Sequence, residues 1–213
     1  MADVLATPGA RLLGRLVALL LALAMFAPSP PARAGAGVGE AERAIADLAD
    51  RALPGLVAAV DSAARERAVR QLLHESFDLP GMGRFMLGRF WRQASEEERL
   101  DYLAAFEDLV VQTFAAGIEE YPVERLSLRA TRQEDGESAS VHSEIFLRPN
   151  PERPFRVEWR LRRSDGRYRI YDIVVEGLSL SVLLRDAFVQ TTQAGGGNVR
   201  DFIQRLRLVK PGN

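Results

Sequence analysis

Cysteine is absent from this chain of 213 residues, and histidine occurs only twice. Without thiols there is no disulfide, thiolate nucleophile, cysteine-bound zinc or iron–sulfur cluster. The two histidines, His74 and His142, lie 68 residues apart, so no local pair of metal ligands exists. These absences exclude thiol chemistry, and we expect neither a bound metal nor a cofactor.

A strong excess of charge is also missing. The chain has 28 basic and 29 acidic residues, a formal net charge of −1, and Lys210 is its single lysine. Binding of nucleic acid through bulk positive charge is therefore not expected. Hydrophobic residues make up 47% and charged residues 27%, which is typical of a folded globular domain.

Residues 1–34 are organised like a secretory signal peptide. Two arginines precede an unbroken apolar run of 11 residues at 16–26, and prolines and an Ala-Arg-Ala sequence follow. A helix of that length spans about 16 Å, roughly half of a membrane's hydrocarbon core, and is too short for an anchor. We therefore expect export, cleavage near Ala34 or Ala36, and a single mature domain at 35–213.

Helical patterns fill the first half of the mature chain. Asp78, followed by leucine and proline, predicts a helix start because a side-chain acceptor and a proline both suit the first turn. Ser95 and Glu98 have the spacing of a capping box, which predicts a long helix that ends before Pro122. Pro54 and the glycine after it are expected to interrupt the first helical region.

The apolar pattern changes to a period of two between residues 126 and 175. Three segments alternate, most cleanly at 155–162, and a fourth at 168–175 is apolar on both faces, as in a central or doubly covered strand. Turn-like sequences separate the four segments. Two more helical segments follow, on either side of the glycines at 195–197. This order predicts an α+β fold, in which a helical layer packs on a curved antiparallel sheet of four strands. Such a fold can enclose an apolar cavity between its layers.

Two polar positions in the predicted strands are candidates for catalysis. His142 and Glu144 share a strand face, which suits a general base but equally suits an ordinary surface strand. Asp172 interrupts an apolar strand, either as a catalytic acid or as a structural acceptor for an arginine or a helix start. The sequence places no nucleophile or second carboxylate beside them. A small exported enzyme that uses His142 or Asp172 therefore stays an alternative.

Three sequence blocks, taken in order, resemble a known family. The first is GRFWRQA at 88–94, shortly after Phe77, and the second is the helix that carries Phe106. The third and strongest is YDIVVEGLSL at 171–180. With the exported N-terminus, these blocks resemble the MlaC or toluene-tolerance family of periplasmic phospholipid-binding proteins, from the pathway that maintains lipid asymmetry. Some relatives belong to hopanoid-associated gene sets.

The resemblance implies a periplasmic lipid carrier and not an enzyme. It would hold the acyl chains of a phospholipid, or of a hopanoid-like lipid, in an apolar cavity between helices and sheet. It would move lipid between an outer-membrane lipoprotein–porin complex and an inner-membrane ABC transporter. The residues expected to line the cavity are Phe85, Phe106, Val110, Ile145, Val157, Trp159, Val174, Leu184 and Phe188. Arg89 and Arg92 are candidates for contact with the headgroup.

A ligand-free interaction subunit with a solid core is the remaining alternative. Cores and lipid cavities are built from the same apolar residue types, so composition does not separate the two.

Overall fold

The structure is a computed structural model that describes residues 36–57, 61–120, 123–147 and 152–209. The expected signal peptide at 1–34 lies outside these ranges. Within them, five helices precede a sheet and two follow it. The helices are α1 (Ala36–Val57), α2 (Ser62–Ser76), α3 (Leu79–Leu87), α4 (Phe90–Gln93), α5 (Glu96–Glu120), α6 (Leu180–Ala194) and α7 (Val199–Leu208).

Side-chain caps set the start of the helices as the sequence predicts. The Asp78 carboxylate accepts a hydrogen bond from the Gly81 N–H at 3.0 Å, in the first turn of α3. At the start of α5, the Ser95 hydroxyl accepts from the Glu98 N–H at 3.1 Å, and the Glu98 carboxylate accepts from the Ser95 N–H at 2.9 Å. Ser179 and Asn198 cap α6 and α7 in the same way. These contacts satisfy backbone donors that a helix leaves free at its start.

The first helix differs from the prediction. The expected interruption at Pro54 is wrong, because α1 is continuous from Ala36 to Val57. Pro54 removes the one backbone donor that would bond the residue four positions earlier, and the other bonds of the helix are kept until it ends three residues later. The helix also includes the glycines at 37 and 39, so the segment just after the expected cleavage site is helical.

The strands form one antiparallel sheet in which chain neighbours are also sheet neighbours. They are β1 (Val123–Gln133), β2 (Ser138–Leu147), β3 (Phe155–Ser164), β4 (Arg167–Val175) and β5 (Leu178–Ser179). The predicted α+β class and the four long strands are confirmed. The architecture is an open sheet with helices packed on it.

The fifth strand corrects the predicted count of four. Glu176 and Gly177 have φ values of 50° and 84°, which form the tight two-residue connection of a hairpin. The turn is held because the Glu176 carboxylate accepts from the Arg156 N–H at 2.6 Å and from the Arg156 Nη2 at 2.9 Å. A strand of two residues is too short to produce an alternating pattern, so the sequence does not reveal it.

Strand register divides the sheet into an apolar and a polar face. Val141, Trp159 and Ile173 are cross-strand partners on β2, β3 and β4, and all three are buried. Because partners share a face, this is the face that meets the helices. His142 and Glu158 are partners on the opposite face. The core face carries Leu126, Leu128, Thr131, Ala139, Val141, Ser143, Ile145, Val157, Trp159, Leu161, Ile170, Ile173 and Val175.

A bulge changes the phase of β4. Arg160 on β3 partners Asp172, whereas the next residue, Leu161, partners Ile170, so Tyr171 is an extra residue in β4. Side chains alternate from Tyr171 onwards in the opposite sense. As a result, Asp172 points to the polar face, although Ile170, two residues before it, lies on the core face.

A cluster of aromatic rings joins the helices to one another. Tyr102 stacks on Phe106 with ring centroids 6.0 Å apart, and Phe188 meets Phe106 and Phe202 edge-on at 6.4 and 5.2 Å. The Tyr102 hydroxyl donates to the Gly83 carbonyl at 2.9 Å, and burial raises the pKa of this phenol. Helices α3, α5, α6 and α7 are joined through these contacts.

Gly83 is the position where α3 comes closest to α5. A Cβ added there would lie 2.8 Å from Leu103 Cδ2 and 3.0 Å from Phe106 Cδ1. Gly83→Val should therefore lower the free energy of unfolding by about 1–3 kcal/mol, the usual cost of overpacking a core. Gly117→Val is the matched control, because nothing lies within 4 Å of its added Cβ. Equal urea midpoints for the two variants would contradict this close packing.

Candidate functional site

Apolar side chains on the core face remain half-buried at one end of the sheet. Leu126 and Ile145 are cross-strand partners there, and Val175 on β4 partners Val157 on β3. Leu126, Ile145 and Val175 pack against the core yet keep part of their surface exposed. We call this end, where β1 and β3 begin and β2 and β4 end, the open end of the sheet.

Helix α6 also brings half-buried apolar side chains to this region. It follows directly after β5, which pairs with the end of β4, so its start lies beside the open end. Leu180 and Leu184, near this start, are half-buried and pack against the core. Val110 and Phe114 on α5 are half-buried against the core too, but the Phe114 ring packs on Phe77, with centroids 6.3 Å apart, and Phe77 borders the other end of the sheet. The sheet and the start of α6 thus contribute apolar surface that the core does not fully cover.

Seven of the nine predicted lining residues contact or border this interior. Phe106 and Phe188 are deeply buried, and they join α5 to α6 by edge-to-face packing. Val157 and Trp159 are buried on the core face of β3. The half-buried members are Val110, Ile145 and Leu184. Their role as a lipid-binding set stays a prediction.

The structure places the other two predicted lining residues elsewhere. The side chain of Phe85 is 40% exposed, and the Arg185 guanidinium lies over its ring, 4.7 Å from the centroid. Phe85 and Phe90 do not share one helix, because α3 ends at Leu87 and α4 begins at Phe90. Val174 partners Glu158 on the polar face, because the bulge at Tyr171 shifts the alternation of β4.

Sequence analysis also missed several members of the same surface. Leu126 and Leu128 alternate in the predicted first strand, and this signal would have identified them. The sequence pattern does not show that Val175, and not Val174, lies on the core face, because this depends on the bulge in β4. Ser143 was missed as well, and its hydroxyl accepts a hydrogen bond from Trp159 Nε1 at 2.8 Å in the interior. This bond satisfies the indole donor and holds the ring on the core face.

A distinct pocket of about 520 Å³ lies at the opposite end of the β3–β4 hairpin, beside the turn at 164–165. Phe106 is the one predicted lining residue that borders it. Its polar groups are engaged with one another: His74 Nε2 lies 3.0 Å from Glu107 Oε1, and Arg169 Nη1 donates to the His74 carbonyl at 2.8 Å. This mixed surface differs from the apolar surface at the open end.

A family model supports the resemblance that the sequence blocks suggested. The model described as MlaC protein matches residues 47–208, about three quarters of the chain. The chain belongs to the MlaC family. Most of the described helices, and all five strands, fall within the matched range.

Curated relatives and a solved structure agree with the MlaC assignment. The chain is 22% identical over 133 residues to the toluene tolerance protein ttg2D of Pseudomonas putida, covering 62% of this chain and 61% of the relative. It is 24% identical over 115 residues to the MlaC binding protein of the intermembrane phospholipid transport system of Haemophilus influenzae, covering 53% of each. The chain thus matches between half and two thirds of these relatives' length.

The fold is similar to that of a phospholipid-binding protein from Ralstonia solanacearum, which was solved in complex with a phospholipid. The TM-score is 0.63 at 21% identity, and the match covers 81% of this chain and 97% of the other. At this identity the likeness establishes that the two chains share a fold.

Asp172 has the surroundings of a structural carboxylate. It is 4% exposed and accepts hydrogen bonds from the Ser179 hydroxyl at 2.7 Å, from the Ser181 N–H at 3.1 Å and from Arg160 Nη1 at 3.4 Å. Ser181 lies in the first turn of α6, so the carboxylate supplies an acceptor to that helix start. Of the two alternatives for Asp172, this geometry favours the structural one.

His142 lies on the polar face of the sheet and is half-buried. The Glu144 carboxylate, its expected partner, forms an ion pair with Arg129 instead.

The described residues contain no group of three or more histidines and carboxylates that could hold a metal ion. In the same ranges, no helix has the length and apolar character needed to cross a membrane.

Replacing Asp172 should weaken the fold through the start of α6. Asp172→Ala leaves the Ser181 N–H and the Ser179 hydroxyl without their acceptor, and we expect a loss of about 2–3 kcal/mol in unfolding free energy. Asp186→Ala, at an exposed carboxylate on the same helix, should change it by less than about 0.5 kcal/mol. Urea denaturation measures both. An Asp172→Ala variant as stable as the control would contradict the structural role.

Proposed function

We propose that this chain is a periplasmic lipid carrier that holds acyl chains in an apolar groove at the open end. The observation that carries the proposal is the set of half-buried apolar side chains from β1, β2, β4 and the start of α6 at the open end of the sheet, in a chain of the MlaC family. Half-buried apolar side chains of this kind can line a pocket for a ligand that is itself apolar. A headgroup would remain near solvent at the groove entrance.

The physical need for such a carrier follows from the cost of exposing acyl chains to water. At about 0.8 kcal/mol per CH₂, two chains of ~16 carbons expose on the order of 25 kcal/mol of apolar surface. A groove that replaces the lipid contacts brings transfer close to neutral. Small affinity differences at the donor and the acceptor then decide the direction of transfer.

The proposed route runs between an outer-membrane lipoprotein–porin complex and an inner-membrane ABC transporter. Export would depend on the signal peptide at 1–34, which is read from the sequence alone. The cargo is a phospholipid or a hopanoid-like lipid, and no catalytic step or cofactor is part of the proposal. Support comes from family membership and from the names of relatives in phospholipid transport.

The direct experiment is native mass spectrometry of protein exported to the periplasm and purified without detergent. We expect a stoichiometric adduct of lipid mass, which solvent extraction then identifies. A protein that is empty and takes up no lipid from vesicles would overturn the carrier proposal. That result would favour the ligand-free interaction subunit.

A larger side chain at Ile145 should reduce lipid occupancy without unfolding the protein. Ile145 is half-buried at the open end, so the indole of Ile145→Trp can extend into the proposed groove with little overpacking of the core. We expect at least a fivefold loss of bound lipid by native mass spectrometry, with unchanged far-UV circular dichroism.

Arg162→Trp provides the matched control. Arg162 is exposed and lies on the polar face of the sheet, so the same new side chain points away from the groove. Full lipid occupancy in folded Ile145→Trp protein would show that the groove is placed wrongly.

A further inference from the structure

The segment between Asp78 and Glu96 is basic in a chain of almost neutral charge. It contains three arginines, Arg84, Arg89 and Arg92, and no acidic residue. All three are exposed. Among the described residues none of them forms an ion pair, whereas the arginines at 70, 156 and 160 are paired with carboxylates. The positive charge of this segment is therefore not neutralised within the described part of the fold.

Exposed apolar side chains lie beside these arginines. Phe85 is 40% exposed, and Arg185 of α6 lies over its ring. Val182 is 47% exposed and precedes Arg185 by three residues, so both lie on one face of α6. Leu178 is 41% exposed and immediately precedes Ser179, whose hydroxyl accepts from the Val182 N–H.

We define the basic apolar patch as Phe85, Leu178 and Val182 together with Arg84, Arg89 and Arg185. Helices α3 and α6 pack on one another and carry most of it. Asp186 is the acidic side chain next to Arg185 on α6, and it is exposed. The patch therefore combines apolar side chains with a net excess of arginine.

The patch lies next to the open end of the sheet. Leu180 and Leu184, in the first turns of α6, are half-buried against the core, while Val182 between them is exposed. The same helical segment therefore borders the apolar interior on one side and the patch on the other. Any surface in contact with the patch would therefore lie close to the open end of the sheet, where the proposed groove is.

We propose that the basic apolar patch docks the protein on the surface of an anionic phospholipid bilayer. Apolar side chains that enter the interface and arginines that attract anionic headgroups are the two contributions that hold a peripheral protein on such a surface. The positive excess on α3 and α6 is complementary to that surface. This inference rests on the proposed carrier function, since docking brings the open end to the membrane that supplies or receives the lipid.

Vesicle flotation tests the docking. Wild-type protein should float with vesicles of phosphatidylethanolamine and phosphatidylglycerol at low salt, and binding should fall at 0.5 M salt and on pure phosphatidylcholine. Arg84→Gln with Arg185→Gln should lower partitioning by about 30-fold, taking about 1 kcal/mol per arginine. Val182→Ser should lower it severalfold.

Leu100→Ser is the matched control for Val182→Ser. Leu100 is 65% exposed on α5 and does not belong to the patch. Its variant should keep wild-type partitioning. Thermal unfolding verifies that every variant is folded.

Lipid occupancy, measured on the same variants by native mass spectrometry, separates the two proposals. Bound lipid together with reduced flotation supports the docking surface. Patch variants that hold lipid and float like the wild type overturn the docking proposal. A defect in lipid transfer that appears only when a partner protein is present also overturns it, because the patch would then dock a protein and not a membrane. An empty wild-type protein overturns the carrier function instead.

Discussion

The buried carboxylate of Asp172 determines where α6 begins relative to the sheet. It accepts hydrogen bonds from the Ser179 hydroxyl and from the Ser181 N–H, and Arg160 on the neighbouring strand lies 3.4 Å away. Because the donors come from the start of a helix and the acceptor from a strand, the contact joins two layers of the fold. The helix attached in this way carries the half-buried Leu180 and Leu184, the exposed Val182, and Phe188, which meets Phe106 edge-on.

The sheet explains why the interior is closed at one end and open at the other. An antiparallel sheet of this kind has one apolar face, and the helices must cover it to form a core. Near the β3–β4 turn, Leu161 and Ile170 are fully buried, and the backbone N–H of Asp78 donates to the Ile170 carbonyl at 2.9 Å. At the other end, Leu126, Ile145 and Val175 keep part of their surface exposed. Incomplete cover of one apolar face is the structural basis of the proposed groove.

Local motifs were predictable because their physics is local. The capping residues Asp78 and Ser95 each satisfy a backbone N–H three residues later, so the sequence alone identifies these helix starts. Alternation identified three of the long strands, an apolar run identified the fourth, and the alternation of β3 gave the core positions of Val157 and Trp159. The order of helices and strands along the chain was sufficient to predict the α+β class. The three sequence blocks, at 88–94, around Phe106 and at 171–180, indicated the MlaC family.

The sequence by itself therefore determined the type, order and starts of most elements, the apolar face of β3 and the family. Only the tertiary structure decided the face of Val174, the exposure of Phe85 and the existence of β5. Val174 depends on a one-residue bulge, which changes the phase of alternation without altering composition. Phe85 depends on where α3 ends and on how α6 packs beside it. Such outcomes arise from contacts between residues distant in the chain, and a one-dimensional period does not encode them.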